Sequence, residues 1–372
     1  MDTQSGSLRQ VLGRLANAQT LTAEETERLF SIVMRGAAPP EQLAAILMAF
    51  HLRGETVEEL SGAVRAVRQV MTTLPSVPEN AMDVCGTGGD GLGTLNVSTA
   101  VAFVLAGLGV PVAKHGNRAL SSRSGATDTL MALGIAPSED LAQQARRLNE
   151  DNLAFLSAPV HHPAMRHAAP VRGALGFRTI FNLVGPLCNP ACVRRQMIGV
   201  YEARWLEPVA QTLAALGGRC IWAVHGETDR GGSDEITLAG PSRMRAWEGD
   251  RFLDLVLTPE MAGFSRRPIA ALAGGDPGYN AARLIEMLSG QAGAYRDTVL
   301  LNTAVALHVA GRASILENDT VSSDLLRRNV ATAAQAIDSG LARSALARAQ
   351  DADIRGDEAV SSPRMIQIAG LP

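Results

Sequence analysis

The sequence predicts an α/β protein in which a small helical domain precedes a larger α/β domain with a largely parallel central sheet. Three observations lead there. Residues 8–71 carry apolar side chains at helical spacing, as in Leu43, Ile46, Leu47 and Phe50. Residues 72–80, with Pro75 and Pro78, break that periodicity and read as a linker. Beyond them short apolar runs alternate with helical stretches and glycine loops, the order that covers a parallel sheet with helices.

The elements follow in order. The helical domain spans residues 1–75, and TAEE from Thr22 is a capping-box pattern. In the α/β domain, residues 81–347, a strand is expected at 81–85, a helix apolar on nearly all sides at 99–106 and a strand at 111–113. The same alternation continues with a helix at 140–148, a strand at 153–156, a helix at 206–216 and a strand at 220–224. Residues 236–238 and 244–257 read as hairpin strands, and helices return from Tyr279, including 298–310. The polar stretch 350–372 predicts a mobile tail. No internal repeat is visible.

The chain has 372 residues, enough for two domains and a substantial core without disulfide staples. With 34 Lys and Arg against 37 Asp and Glu the net charge is −3, so no bulk basicity points to nucleic acid. Aromatic residues make up only 4 %, which also disfavours base stacking and leaves small-molecule chemistry. Cys85, Cys188, Cys192 and Cys220 lack zinc-type spacing and read as reduced thiols, with Cys188 as buried filler. The polar start MDTQSGSLRQ and the lack of any long apolar run predict a cytoplasmic protein with no membrane partner.

The chemistry concentrates in GTGGDGLGTLNVSTA, residues 86–100, and KHGNRALSSRSG, residues 114–125. Glycines bring backbone N–H groups close to a ligand, and Asn96, Ser98 and Thr99 open an apolar helix whose N-terminus favours negative charge. Between Gly91 and Thr127 there is no Asp or Glu, whereas Lys114, His115, Arg118 and Arg123 are present. These features predict a phosphate site. Gly86, Gly88 and Gly91 form a formal GxGxxG, but a nicotinamide site wants an acid about 20 residues on, which the acid-free window excludes. There is no GxxxxGK[ST] loop either.

These two segments, followed by HHPAMRHAAPVRGALGFRTIFNLVGPLCNP, resemble the anthranilate phosphoribosyltransferases of tryptophan biosynthesis over roughly residues 8–347. The resemblance implies the nucleoside phosphorylase/phosphoribosyltransferase architecture, with helices from about 163–190 joining the helical domain and a homodimer formed through it. It implies transfer of the phosphoribosyl group from 5-phosphoribosyl 1-pyrophosphate to anthranilate, with Mg2+. Phosphoribosyl pyrophosphate contacts carry over to Gly86, Gly89, Asp90, Thr94, Asn96, Val97, Ser98 and Thr99, and to Lys114, His115, Gly116, Asn117, Arg118, Ala119, Leu120, Ser121, Ser122 and Ala126. In the second loop Lys114 would follow the leaving group as a flexible ammonium. Anthranilate contacts carry over to Gly86, Asn117 and Arg172, whose planar guanidinium suits a carboxylate. His115 and His162 fall in segments lining the anthranilate channel, His162 and His167 read equally as packing histidines, and Gly185-Pro186 would shape a loop against the ring.

Magnesium ligands carry over to Ser98, Asp234 and Glu235, hard oxygen donors of the kind this cation needs. Here the chain departs from the family pattern. Residues 227–233, ETDRGGS, are longer than the usual loop, and Ser233 stands where leucine is common, which puts the position of the carboxylates at issue. No general acid or base is assigned, because an aromatic amine is already neutral near pH 7. A pyrimidine nucleoside phosphorylase-like enzyme and a non-catalytic nucleic-acid-binding relative are the alternatives; the latter would show a broad basic face.

Overall fold

The structure is a computed structural model that describes residues 3–117 and 124–360, with side chains described over 8–117 and 124–351. Four helices open the chain: α1 (Thr3–Ala16), α2 (Ala23–Met34), α3 (Pro40–Arg53) and α4 (Val57–Val70). The pattern at Thr22 is a true capping box, with Thr22 Oγ1 accepting from Glu25 N at 3.3 Å and Glu25 Oε2 accepting from Thr22 N at 2.9 Å. Thr56 and Glu59 repeat it at the start of α4. Glu59 is fully buried because Leu21 N–H, Thr56 N–H and the Arg53 guanidinium all bond its carboxylate.

The turn between α3 and α4 holds Glu55, whose carboxyl burial pushes up to about 7, with Glu59 reinforcing the shift and Arg204 and Arg53 opposing it. A folded-state value above the ordinary 4.5 means that this group's contribution to stability is present at acid pH and is lost as pH rises through about 7. Glu55→Gln should therefore stabilise the fold by about 1–3 kcal/mol at pH 8 and by almost nothing at pH 4.5. Thermal melts at the two pH values check this; equal shifts at both would mean that Glu55 is not held protonated.

The rest of the chain alternates as expected: β1 (Met82–Gly86), α5 (Val97–Gly107), β2 (Val112–Gly116), α6 (Ala126–Ala132), α7 (Leu141–Glu150), β3 (Leu153–Ser157), α8 (Ala158–His161), α9 (Ala169–Leu175), α10 (Ile180–Leu187), β4 (Arg195–Gly199) and α11 (Leu206–Ala215). Next come β5 (Cys220–Thr228), β6 (Gly231–Ser233), β7 (Ser242–Trp247) and β8 (Phe252–Leu257). The chain ends with α12 (Pro277–Leu288), α13 (Ala294–Val309), the small pair β9 (Leu316–Glu317) and β10 (Thr320–Val321), α14 (Ser323–Asp338) and α15 (Leu341–Val360). The main sheet runs β3-β2-β1-β4-β5-β7-β8, with β6 paired to the end of β5. Strands β1 to β5 are parallel, and β6, β7 and β8 join antiparallel.

Both sheet faces are buried. Along β5, Cys220, Trp222 and Val224 join one core with α5 and α13, whereas Ile221 and Ala223 join the other with the N-terminal helices. Val171 of α9 and Ile180 and Val184 of α10 share that second core, so these late helices pack with the helical bundle. Because β1 leads through α5 to β2 on one side while β4 lies on its other side, a crevice opens at the carboxyl ends of these strands, the place where such sheets bind ligands.

Three local expectations change. Residues 236–238 form no strand, since Asn302 bonds both Ile236 N and Ile236 O, and Ser242 Oγ accepts from Thr237 N. Their backbone is satisfied without a ladder. Gly185 and Pro186 sit inside α10 and not in a loop. The polar tail does not begin at residue 350, because α15 runs on to Val360, anchored by buried Ala349 and by Gln350 Nε2 donating to Leu133 O at 2.7 Å. Residues 361–372 lie outside the described part.

Cys85, Cys188 and Cys220 are buried free thiols, and Cys192 is exposed. Cys220, Glu248 and His308 gather at the far end of β5, with Cys220 Sγ, Trp222 Nε1 and His308 Nε2 at 3.6, 2.5 and 3.1 Å from Glu248 Oε1. Ile315 N–H donates to His308 Nδ1 at 3.3 Å, so Nε2 carries the proton and its lone pair is not free for a metal. This is a closed hydrogen-bond knot tying β5 and the turn after β7 to α13.

Candidate active site

The crevice is built on close backbone approach. Gly86 ends β1 and Gly199 ends β4, paired in register. A Cβ on Gly199 would lie 1.6 Å from Asp234 O, and one on Gly86 would lie 2.2 Å from Asp234 Oδ2. Only glycine at both positions lets residue 234 enter between the strands. Asp234 Oδ2 then accepts the Gly88 N–H at 2.7 Å, and Glu235 Oε1 accepts the Ser98 N–H at 3.0 Å in the first turn of α5.

Residues 227–233, which precede these carboxylates, fold back on the end of β5. Residues 226–228 of β5 pair with β6 in the register Gly226↔Ser233, Glu227↔Gly232 and Thr228↔Gly231, so the extra residues close a two-residue hairpin at Asp229-Arg230. Ser233 is buried and accepts the Glu235 N–H through Oγ at 3.3 Å.

Charge in the cluster is unbalanced. Burial holds the Asp234 carboxyl well above the usual carboxylate range, with Asp90 and Glu235 adding to the effect, and burial likewise raises Glu235 against the pull of Lys114. Tyr295, whose hydroxyl donates to Asn96 O at 3.0 Å, is also pushed up by burial and by Glu235. Ser98 Oγ, Asp234 and Glu235 thus offer oxygen donors, and carboxyls raised for want of a counter-charge fit a hard divalent cation.

Lys114 corrects an expectation. It is only 3 % exposed, and Nζ donates to Val84 O at 2.7 Å and to Ser98 Oγ at 3.1 Å, so it is no flexible arm reaching into solvent. Its partner by charge is Asp83, a fully buried carboxyl raised by burial and held by His115 N–H, Asn189 Nδ2 and Gln196 Nε2. Asp83 was not legible as part of the site, since an acid inside an apolar strand shows its role only once its neighbours are known.

The remaining expected residues fall around this centre. Gly89 and Asp90 follow in the glycine loop, where Asp90 Oδ1 accepts the Leu92 N–H. Thr94 bridges to Ala273, and Val97, the first residue of α5, is buried. Thr99 Oγ1 is buried without a partner among the described residues, whereas the Asn96 amide oxygen is taken by Thr129 Oγ1 and Asn280 Nδ2 instead of capping α5. Gly116 meets Ala126 at the start of α6, and a cavity between them is lined by Lys114, Thr127 and Phe155. Asn117 follows Gly116, and Arg118, Ala119, Leu120, Ser121 and Ser122 lie outside the described residues.

On the side of the helical bundle, Arg172 in α9 carries no ion pair among the described residues; its guanidinium lies 5.2 Å from the Phe181 ring centroid, and burial lowers its pKa. His115 and His162 meet with 3.2 Å between their Nε2 atoms, and burial lowers both, His162 to about 4, so the pair is neutral at pH 7. His167 packs on Gly36 at the end of α2. One residue that sequence reasoning missed is Arg178, whose guanidinium lies against Gly89.

A helical bundle set against a mainly parallel sheet, with a glycine loop and acidic cluster at the strand ends, defines a glycosyl transferase of the two-domain class. Residues 9–71 match the glycosyl transferase family, helical bundle domain, and residues 78–343 match the glycosyl transferase family, a/b domain. The chain is 61 % identical over 348 residues to an anthranilate phosphoribosyltransferase of Gluconobacter oxydans, covering 94 % of this chain and 96 % of that relative. Among solved structures, the anthranilate phosphoribosyltransferase of Thermus thermophilus superposes with a TM-score of 0.83 at 38 % identity, covering 92 % of this chain and 98 % of that one. The Saccharomyces cerevisiae enzyme in complex with PRPP and Mg gives 0.82 at 25 % identity, covering 94 % and 98 %. The chain belongs to the anthranilate phosphoribosyltransferase family of tryptophan biosynthesis. These relatives lend no support to a nucleoside phosphorylase or a nucleic-acid-binding protein.

Proposed function

We propose that the crevice transfers the phosphoribosyl group of 5-phosphoribosyl 1-pyrophosphate to anthranilate, giving N-(5-phosphoribosyl)anthranilate and pyrophosphate. The observation that carries this reading is the convergence of the glycine loop, the start of α5 and the Asp234-Glu235 pair at the ends of β1 and β4. Backbone N–H groups of the loop and the helix start other than those of Gly88 and Ser98, which the carboxylates hold, bind phosphate oxygens, and the Thr99 hydroxyl, without a partner among the described residues, supplies one more polar group. Ser98, Asp234 and Glu235 would hold Mg2+, which when bound neutralises the diphosphate. Lys114 acts from within the sheet: it fixes the Ser98 hydroxyl and tempers the acidic cluster.

The amine lone pair forms the N–C1 bond, the C1–O pair leaves with pyrophosphate, and the nitrogen then releases one proton. Positioning and charge stabilisation dominate this step. Neutral His115 and His162 shape the aromatic side without adding charge. Arg172, without a carboxylate partner among the described residues, pairs with that of anthranilate. Arg172→Ala should lower kcat/KM for anthranilate by about 10- to 100-fold, the loss of a charge-assisted pair, and change phosphoribosyl pyrophosphate binding little. Unchanged anthranilate kinetics would remove Arg172 from the site.

The chain is proposed to work in the cytoplasm as a homodimer joined through the helical domain, where Leu52 on α3 is 77 % exposed and Met48 one turn away is also exposed. No described helix is long and apolar enough to cross a membrane. The decisive experiment follows anthranilate fluorescence with purified protein. Loss of signal only when protein, phosphoribosyl pyrophosphate and magnesium are all present establishes the reaction, and a steady signal overturns it.

A further inference from the structure

Arg178 lies in the short connection between α9 and α10, and its guanidinium lies against the glycine loop. A Cβ on Gly89 would stand 2.7 Å from Arg178 Nε, 3.3 Å from Cζ and 3.4 Å from Nη2. On its other side Cζ lies 4.0 Å from the Tyr201 ring centroid, a stacked cation–π contact. The platform itself is tied to the loop, because Tyr201 N–H donates to Thr87 Oγ1 at 3.3 Å and Thr87 N–H to Gly199 O at 2.9 Å.

The charge on this guanidinium is barely used. Its nearest carboxylate, Glu202, is 4.0 Å away and is already bonded by Arg204 Nε at 2.7 Å. Arg178 makes no hydrogen bond among the described residues, and 36 % of its side chain is exposed. Lys114, by contrast, spends its protons on Val84 O and Ser98 Oγ inside the sheet. A planar group with unspent N–H donors, held by stacking directly over a backbone N–H loop, suits bidentate recognition of a phosphate.

We propose that Arg178 is a substrate-binding residue that clamps the diphosphate of phosphoribosyl pyrophosphate against the glycine loop and stabilises the charge gathering on it as the C1–O bond breaks. This rests on the glycine loop being the diphosphate site. The side-chain position selects the diphosphate over the anthranilate carboxylate, because the guanidinium touches Gly89 and stacks on the strand-end tyrosine.

The test measures binding of inorganic pyrophosphate with magnesium by calorimetry, and its inhibition of turnover, in the parent and in Arg178→Met. Arg178→Met should weaken pyrophosphate binding by about 10- to 100-fold and raise KM for phosphoribosyl pyrophosphate, with KM for anthranilate unchanged. Arg178→Gln, which keeps a polar end but removes the charge and the two-pronged donor, is read the same way if the methionine variant does not melt cooperatively. A folded variant that binds pyrophosphate like the parent, or that changes KM for anthranilate alone, overturns the proposal. Failure of the parent itself to bind pyrophosphate would instead overturn the placement of the diphosphate on the glycine loop.

Discussion

Asp234→Asn combined with Glu235→Gln should lower turnover by about 100-fold or more at moderate magnesium while the protein still melts cooperatively. The expectation joins two opposite energies. Both carboxyls are raised by burial and by the acids around them, so their ionised forms cost the fold free energy that the amides do not. Both amides still present an oxygen to the Gly88 and Ser98 N–H groups, which keeps the loop and the start of α5 in place. What disappears is two formal charges at the proposed magnesium ligands, and metal neutralisation of a leaving group is worth several kcal/mol. Turnover against magnesium concentration in parent and variant measures it. A variant with the parent's rate and magnesium requirement would mean that the metal is held elsewhere.

Gly89→Val should abolish measurable binding of phosphoribosyl pyrophosphate, a loss of about 100-fold or more, without unfolding the chain. At this position φ is +78°, a region that costs a β-branched residue about 1–2 kcal/mol, and the first added carbon meets Arg178 Nε at 2.7 Å. The strain is local to a partly exposed loop that contributes no buried core residue, so global stability falls far less than binding. Two functional losses add: the side chain covers the loop's N–H groups, and it pushes aside the guanidinium proposed to close over the diphosphate. Calorimetry beside a thermal melt separates them from unfolding; intact binding in the valine variant would reduce the loop to an ordinary turn.

Much of the architecture was legible in the chain because its signals are local. The spacing of Leu43, Ile46, Leu47 and Phe50 marks α3, and the unbroken apolar run at 100–106 marks a helix buried on all sides, which α5 is. Failures occurred where a side chain from far along the sequence satisfies the backbone. Asn302 does so for Ile236, which removes the need for strand pairing there, and Leu133 O accepts from Gln350 across the fold to secure a helix that composition alone reads as a tail.

The sequence by itself determined the two-domain α/β plan and the family, since helix starts and long ordered motifs need no partner to be recognised. Only the tertiary structure decided how charge is arranged. Lys114 reads as a free ammonium until Val84 and Ser98 are found holding it. The loop at 227–233 reads as a displacement until its pairing shows a hairpin that returns Asp234 to Gly199. Arg178, six residues from the arginine that the sequence singled out, stands over a glycine 89 positions before it. Burial and charge pairing depend on distance in space and on the dielectric between groups, neither of which is fixed by separation along the chain.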